Sequence, residues 1–279
     1  MLNVLRKSQQ ILQSMKKYSS YYIKPLRVEL KPYKTLTQQV HINESNLIRY
    51  EKLCGFRQKL TLPISYPHLL VSRQHHQIFS QTDFPFPLVG LLHVKNIIEQ
   101  YRPIFRSEVL DLESQVVNLE QITKGYRFEL ISKVFSENEL IWKSSSTFEH
   151  RGGKSYPFTH PSETKIQFAE LPLNEVREWQ LTQERARHYA QISKDFNPVH
   201  FSTSNTHPTA HEMYLTARIL AEVFDDIPSA SHVAASFLKP VYLPSFMRLV
   251  IQKDSPGKSV YLTDENRSLR HLTVTVTKQ

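Results

Sequence analysis

Two kinds of apolar spacing follow one another along the chain, and the order is run twice. Helical spacing, with three to four residues between apolar positions, covers about 45–53 and 68–79, and Asn43 or Ser45 is placed to cap the first stretch. Phe84 to Pro87 breaks the pattern. Residues 88–103 then read as a strand, and alternating runs follow at 108–118, 126–135 and 140–149. The second pass has helical spacing at 183–193 and 211–224. A strand ending in Leu238-Lys239-Pro240-Val241 comes next, with strand-like runs at 247–253, 259–263 and 269–277. His68 and His211 lie 143 residues apart, and Pro103 and Pro240 lie 137 apart. Such similar offsets predict an internal duplication. Long helices followed by several long antiparallel strands predict an α+β fold in which a sheet wraps each helix. The stretch 150–164, with Gly152, Gly153, Pro157 and Pro161, is expected to divide a first domain, 29–152, from a second, 165–279.

The first 28 residues stand apart. They carry Arg6, Lys7, Lys16, Lys17, Lys24 and Arg27 and no acidic residue, with Leu2, Val4, Leu5, Ile11, Leu12 and Met15 on one helical face. A basic leader of this composition suits a surface helix on a cytoplasmic protein, or a presequence for the mitochondrial matrix. No apolar run approaches the roughly 18–20 residues of a membrane span.

With 279 residues and 40% hydrophobic positions, the chain can bury two cores. Lysine and arginine total 35 against 26 acidic residues, a formal charge of +9, which favours acidic partners. Nucleic acid is not the expected one, since no zinc spacing, helix-turn-helix or aromatic–basic block is present. The single cysteine, Cys54, excludes an internal disulfide framework and reads as packing. The six glycines form no phosphate-cradling loop, and no Gly-x-Ser-x-Gly elbow occurs. His75, His76, His160, His207 and His232 are not spaced with carboxylates or cysteines as metal ligands, so no metal or other cofactor is assigned.

The chemistry is concentrated in Asp195-Phe196-Asn197-Pro198-Val199-His200. Asn-Pro cannot continue a helix, so the chain turns between the carboxylate and the imidazole and can aim both into one cleft. Together they are able to hold and activate a water.

The stretch Tyr189-Ala190-Gln191-Ile192-Ser193-Lys194-Asp195-Phe196-Asn197-Pro198-Val199-His200 resembles the hydratase motif of the MaoC-like, (R)-specific enoyl-thioester hydratase/dehydratase family, roughly Tyr-Ala-x-x-Ser-Gly-Asp-x-Asn-Pro-x-His. Ala210-His211-Glu212-Met213 resembles that family's Ala-His-Gly-Met, and Phe237-Leu238-Lys239-Pro240-Val241 its Phe-x-x-Pro-Val strand. In the first half, Pro63-Ile64-Ser65-Tyr66-Pro67-His68 and the run from Phe84 to Val94 resemble the leading domain of double hot-dog members. That half has no Asp-x-Asn-Pro-x-His. The segment from His200 to His211 is shorter than the family's, Lys194 stands where the family has Gly, and so does Glu212.

The resemblance implies a double hot-dog fold and (R)-specific hydration of enoyl thioesters, or dehydration of (3R)-3-hydroxyacyl thioesters, in fatty-acid-type metabolism. The substrate would be an acyl-CoA or an acyl-carrier-protein thioester, and no cofactor would be needed. Asp195 and His200 would be catalytic, with the roles of acid and base open between them, and Asn197 and Pro198 would support the turn. His211, Glu212 and Met213 would supply oxyanion or substrate contacts, and Lys239 and Arg218 contacts to phosphate or carrier. The first half would be non-catalytic, with His68 and His93 more readily read as structural than as polar lining of the acyl path. The protein would act as a monomer of two hot-dog domains or as a homodimer. A non-catalytic acyl-thioester-binding protein, suggested by Lys194 and Glu212, and a hot-dog thioesterase remain alternatives.

Overall fold

The structure is a computed structural model that describes residues 31–151 and 175–279, apart from 89, 202–206, 225–229, 255–256, 267 and 279. The basic leader and most of the expected divider lie outside the described residues. The first half runs β1 (Lys34–His41), α1 (Glu44–Cys54), α2 (Tyr66–Phe79), β2 (Leu91–Gln100), β3 (Val109–Ile122), β4 (Gly125–Ser136) and β5 (Glu139–Arg151). The second half repeats the order as β6 (Glu175–Leu181), α3 (Gln183–Ser193), α4 (Glu212–Val223), β7 (Ser231–Phe237), β8 (Ser245–Asp254), β9 (Gly257–Asp264) and β10 (Arg270–Lys278). A single turn of 3₁₀ helix, Pro198–His200, is inserted between α3 and α4.

All ten strands form one sheet in the order β1-β3-β4-β5-β2-β7-β10-β9-β8-β6. The two five-strand halves mirror one another across the antiparallel pair β2–β7, where Lys95 lies opposite Ser236 and Gln100 opposite Ser231. The duplication foreseen from the spacings is thus visible in the strand order. The halves share one core as well as one sheet. Fully buried Leu47, Ile98, Trp142, Ala217, Leu220, Val260 and Val274 belong to a single apolar cluster drawn from both. Each such aliphatic side chain contributes on the order of 1.5–3 kcal/mol through burial. A second cluster, with Phe79, Phe84, Phe86 and Phe128, sits only in the first half.

The helices form for legible reasons. Asn43 caps α1 by accepting the Asn46 amide, and Thr182 caps α3 by accepting that of Arg185. Both helices have 11 residues and stop at a left-handed residue, Gly55 at φ 93° and Lys194 at φ 61°. Such a stop suits glycine, which lacks the Cβ that crowds this conformation. The sequence pattern did not foresee β1 and β6. They are the outermost strands, and β1 has a mostly exposed sequence without apolar alternation. Cys54 is buried, and burial pushes its thiol far up, in keeping with a packing role.

Candidate active site

The turn after α3 is assembled by its own side chains. Ser193 Oγ accepts the Asp195 amide at 3.2 Å, and Asp195 Oδ1 accepts the Asn197 amide at 3.0 Å. Asn197 Oδ1 in turn accepts the Val199 amide at 3.4 Å and caps the 3₁₀ turn. Pro198 sits at the first position of that turn, where its missing N–H costs nothing. The backbone then doubles back: Thr209 donates to the Val199 carbonyl at 2.9 Å, and Ala210 to the Val241 carbonyl. Part of the segment between His200 and His211, residues 202–206, lies outside the described residues.

This folding brings the expected pair together. His200 Nε2 lies 3.9 Å from Asp195 Oδ2, too far for a direct hydrogen bond and close enough for one water to bridge. His200 Nδ1 lies 3.0 Å from the Thr209 carbonyl oxygen. A carbonyl can only accept, so Nδ1 carries the hydrogen and a neutral ring presents a bare Nε2 to Asp195. The His200 side chain is almost wholly buried, whereas that of Asp195 is 32% exposed, so the carboxylate is the reachable member of the pair. Burial pushes the Asp195 carboxyl up. The imidazoles of His211, His200 and His76 and the Asn197 amide outweigh it, and the carboxyl lies below its ordinary range.

His211 stacks on His200 with ring centroids 3.6 Å apart and an interplanar angle of 22°. Burial and His200 push its pKa down to about 3, so it is neutral at pH 7. Asp195, His200 and His211 each offer one possible ligand atom, all within 4.8 Å of one another, so the structure gathers a trio that the sequence spacing did not suggest. Near-parallel stacked rings direct their in-plane lone pairs side by side, and His200 has one nitrogen engaged by Thr209. That geometry fits sandwiched neutral imidazoles better than ligands converging on one ion.

Glu212 opens α4 and lines the cleft. Burial, with Asp195 adding to it and His200 opposing, pushes its carboxyl up. The first amides of α4 have no intrahelical acceptor and point where the helix dipole favours negative charge. Arg218 is not placed for phosphate. Its guanidinium lies 4.1 Å over the Trp179 ring, and one of its nitrogens is buried without a partner. Lys239, in contrast, lines the cleft.

The cleft encloses about 530 Å³ and is walled by both halves. The second half supplies Asp195, Asn197, His200, His211, Glu212 and Met213. The first half supplies α2 and β2, including His68 and His93. It also supplies a residue that the sequence reading had set aside. His76 Nε2 lies 3.8 Å from Asp195 Oδ1, so the carboxylate stands between an imidazole from each half. The signal was present in the chain. His68, His75 and His76 are spaced i, i+7 and i+8, one face of the helix whose counterpart is α4. Ser72 Oγ donates to the Ser193 carbonyl at 3.1 Å and ties α2 to the end of α3.

A twice-repeated helix-and-sheet unit, joined in one ten-stranded sheet and carrying an Asp-x-Asn-Pro-x-His turn at the cleft, is the MaoC-like double hot-dog arrangement. Comparison with known proteins agrees, although no family model matches the chain. It is 28% identical over 257 residues to 3-hydroxyacyl-thioester dehydratase X of Mycobacterium tuberculosis, covering 90% of this chain and 91% of that protein. A crystal structure of HtdX from Mycobacterium tuberculosis superposes with a TM-score of 0.76 at 25% identity, over 88% of this chain and 100% of the other. A MaoC-like dehydratase from Phytophthora capsici shares the fold at a TM-score of 0.63 and 17% identity, over 89% and 95% of the two chains. In sequence and in fold the chain is similar to MaoC-like hot-dog dehydratases.

Proposed function

We propose that the protein hydrates enoyl thioesters to (3R)-3-hydroxyacyl thioesters and catalyses the reverse dehydration. The observation that carries this reading is the gap of 3.9 Å between Asp195 Oδ2 and a His200 Nε2 left bare by its tautomer. A water in that gap is held by two acceptors, both in a position to take its proton as the oxygen adds to C3. The pair returns a proton at C2. Negative charge developing on the thioester oxygen is met by the amides at the start of α4. Asn197 and Pro198 hold the turn. His76 acts through Asp195 and is a positioning residue.

The domains at 29–152 and 165–279 divide the work on this reading: the second carries the acid–base pair and the first completes the cleft. The thioester is that of CoA or of an acyl carrier protein, with Lys239 at the cleft as a contact for its phosphate-bearing arm. Among the described residues no helix is long and apolar enough to cross a membrane. We place the enzyme in the cytoplasm, with the mitochondrial matrix as the alternative. The test uses the two enantiomers of 3-hydroxybutyryl-CoA separately. The expected result is conversion of the (3R) form to crotonyl-CoA and none of the (3S) form. Failure to convert either would overturn the assignment in favour of a binding protein.

A further inference from the structure

The acyl end of the cleft is not a plain hydrocarbon tunnel. On the first-half side its wall carries three imidazoles in ring contact. His68 meets His75 edge to face at 5.4 Å and stacks on His93 at 6.2 Å. His93 in turn stacks on Phe148 at 4.7 Å and touches the edge of Phe237 at 4.8 Å. Leu69, Phe79, Leu91 and Leu92 surround them, so the imidazoles are polar spots in an apolar wall. They are also built in rather than incidental. His75 Nε2 shares a 2.8 Å hydrogen bond with Ser132 Oγ, which is 2.9 Å from Ser114 Oγ, and Ser114 donates to Gln74 at 2.7 Å. The sheet beneath α2 is polar across three adjacent strands, with buried Ser114, Ser132 and Ser144 in register.

Two nitrogens in this wall have no partner. They are Nδ1 of His68, a residue only 8% exposed, and Nε2 of His93. Both rings line the cleft. A buried polar atom without a partner forfeits its hydration and gains nothing in return, so it marks a place where a ligand atom or a water is expected. We propose that His68 and His93 form a subsite for a neutral oxygen, hydroxyl or oxo, carried by the acyl chain beyond the reacting carbons. The proposal rests on the thioester reading above and narrows its substrate class to oxygenated acyl chains.

The chemistry of the rings selects the ligand. Burial pushes His68 down to about 4 and, with His68 beside it, His93 down to about 3. Both are neutral at pH 7. A neutral imidazole accepts from a hydroxyl at one nitrogen or donates to an oxo group at the other, and has no charge with which to hold a carboxylate. The subsite is part of the same cleft as the reaction centre, since both rings and Asp195 line it. A hydroxyl on the chain would take the place of a water there. A plain chain would have to displace that water without replacing its hydrogen bonds.

Binding of saturated ligands tests this without turnover. Hexanoyl-CoA is compared with 5-hydroxyhexanoyl-CoA, and octanoyl-CoA with 7-hydroxyoctanoyl-CoA, by calorimetry on the intact chain. In at least one pair the hydroxylated ligand is expected to bind about fivefold or more tightly, the worth of one net buried hydrogen bond. His93→Phe and His68→Phe should abolish or invert that ratio. If His68→Phe does not fold, the His93 variant and the wild-type ligand pairs decide alone. Equal or weaker binding of both hydroxylated chains, or a preference that survives in folded His93→Phe, would overturn the proposal. Loss of the catalytic reading would appear elsewhere, as failure to turn over 3-hydroxybutyryl-CoA, and would leave this ratio standing.

Discussion

The two halves begin alike and part at one residue. Helices α1 and α3 are each capped by a side-chain oxygen, run 11 residues and end at a left-handed position. After Gly55 the first half runs on through Phe56 and Arg57 towards α2. After Lys194 the second half turns on Asn197-Pro198, and His200 returns to face Asp195. The sheet beneath differs in the opposite sense. The second half sets Ile251, Val260 and Val274 in one row, while the corresponding strands of the first half set buried Ser114, Ser132 and Ser144 in another. One copy thus holds Asp195 and His200 and has an apolar floor, and the other has a polar floor and no such pair. On the proposed reading the chemistry needs only one turn, and the first half is free to shape the cleft. It was not left out of the site, since His76 reaches Asp195 across the division.

The comparison breaks most sharply at the pair itself. Asp195→Asn and His200→Ala are each expected to lower kcat by at least about 10²-fold with the fold intact, because groups in acid–base roles contribute roughly 10²–10⁴. Steady-state rates on crotonyl-CoA, with circular dichroism as the fold control, decide it. Near-normal turnover in either variant would remove the pair from the mechanism.

His76→Leu tests whether the first half takes part electrically. The His76 imidazole is among the groups that draw the Asp195 carboxyl down. Its removal should raise that pKa back toward the ordinary carboxylate value of about 4 and move the acid limb of the kcat profile to higher pH, with the loss confined to the acid range and little change at neutrality. A uniform loss at every pH would assign His76 a packing role only.

A smaller effect is expected at Glu212. Glu212→Gly should remove a carboxyl from the start of α4, where negative charge develops on the substrate, and raise kcat a few-fold. If the substitution destroys activity, the carboxyl has a part in the reaction itself.

The smallest effect falls on stability and concerns the matched helix ends. Lys194→Gly should stabilise the protein by about 1 kcal/mol, and Gly55→Ala should destabilise it by a similar amount. At Gly55 an added Cβ would meet Ala221 Cβ at 4.0 Å, so the cost there is conformational rather than steric crowding. Denaturant midpoints measure both, and equal stability of Lys194→Gly and the natural chain would show the strain to be absorbed.

Much of this could be read from the chain, and the exceptions have physical causes. The helix at Gln183–Ser193 was foreseen over its full length, because regular apolar spacing and the Asn-Pro break bound it locally. Asp195 and His200 were legible for the same reason, since one tight turn sets their separation. The family's Gly before Asp195 was visible as a substitution, but its cause was not. The left-handed φ at Lys194 supplies it. Strands β1 and β6 were missed because edge strands have only one hydrogen-bonded neighbour, and β1 also keeps a largely polar, exposed surface. His76 was missed because its contact with Asp195 joins residues more than a hundred positions apart, and only the packing of α2 beside α3 brings them together. His68 and His93 read from the sequence as structural, and His75 as one of the histidines without metal-ligand spacing; together they form a cluster. Its unpaired nitrogens and its place on the cleft wall became visible only in three dimensions.

The most direct test of the central claim is incubation of the purified chain with crotonyl-CoA, following enoyl absorbance and free thiol separately. The account predicts loss of enoyl absorbance with no thiol released at a comparable rate. Thiol release that keeps pace with substrate loss would identify a thioesterase. No change in either signal, from a folded protein that still binds the ligand, would contradict catalysis altogether.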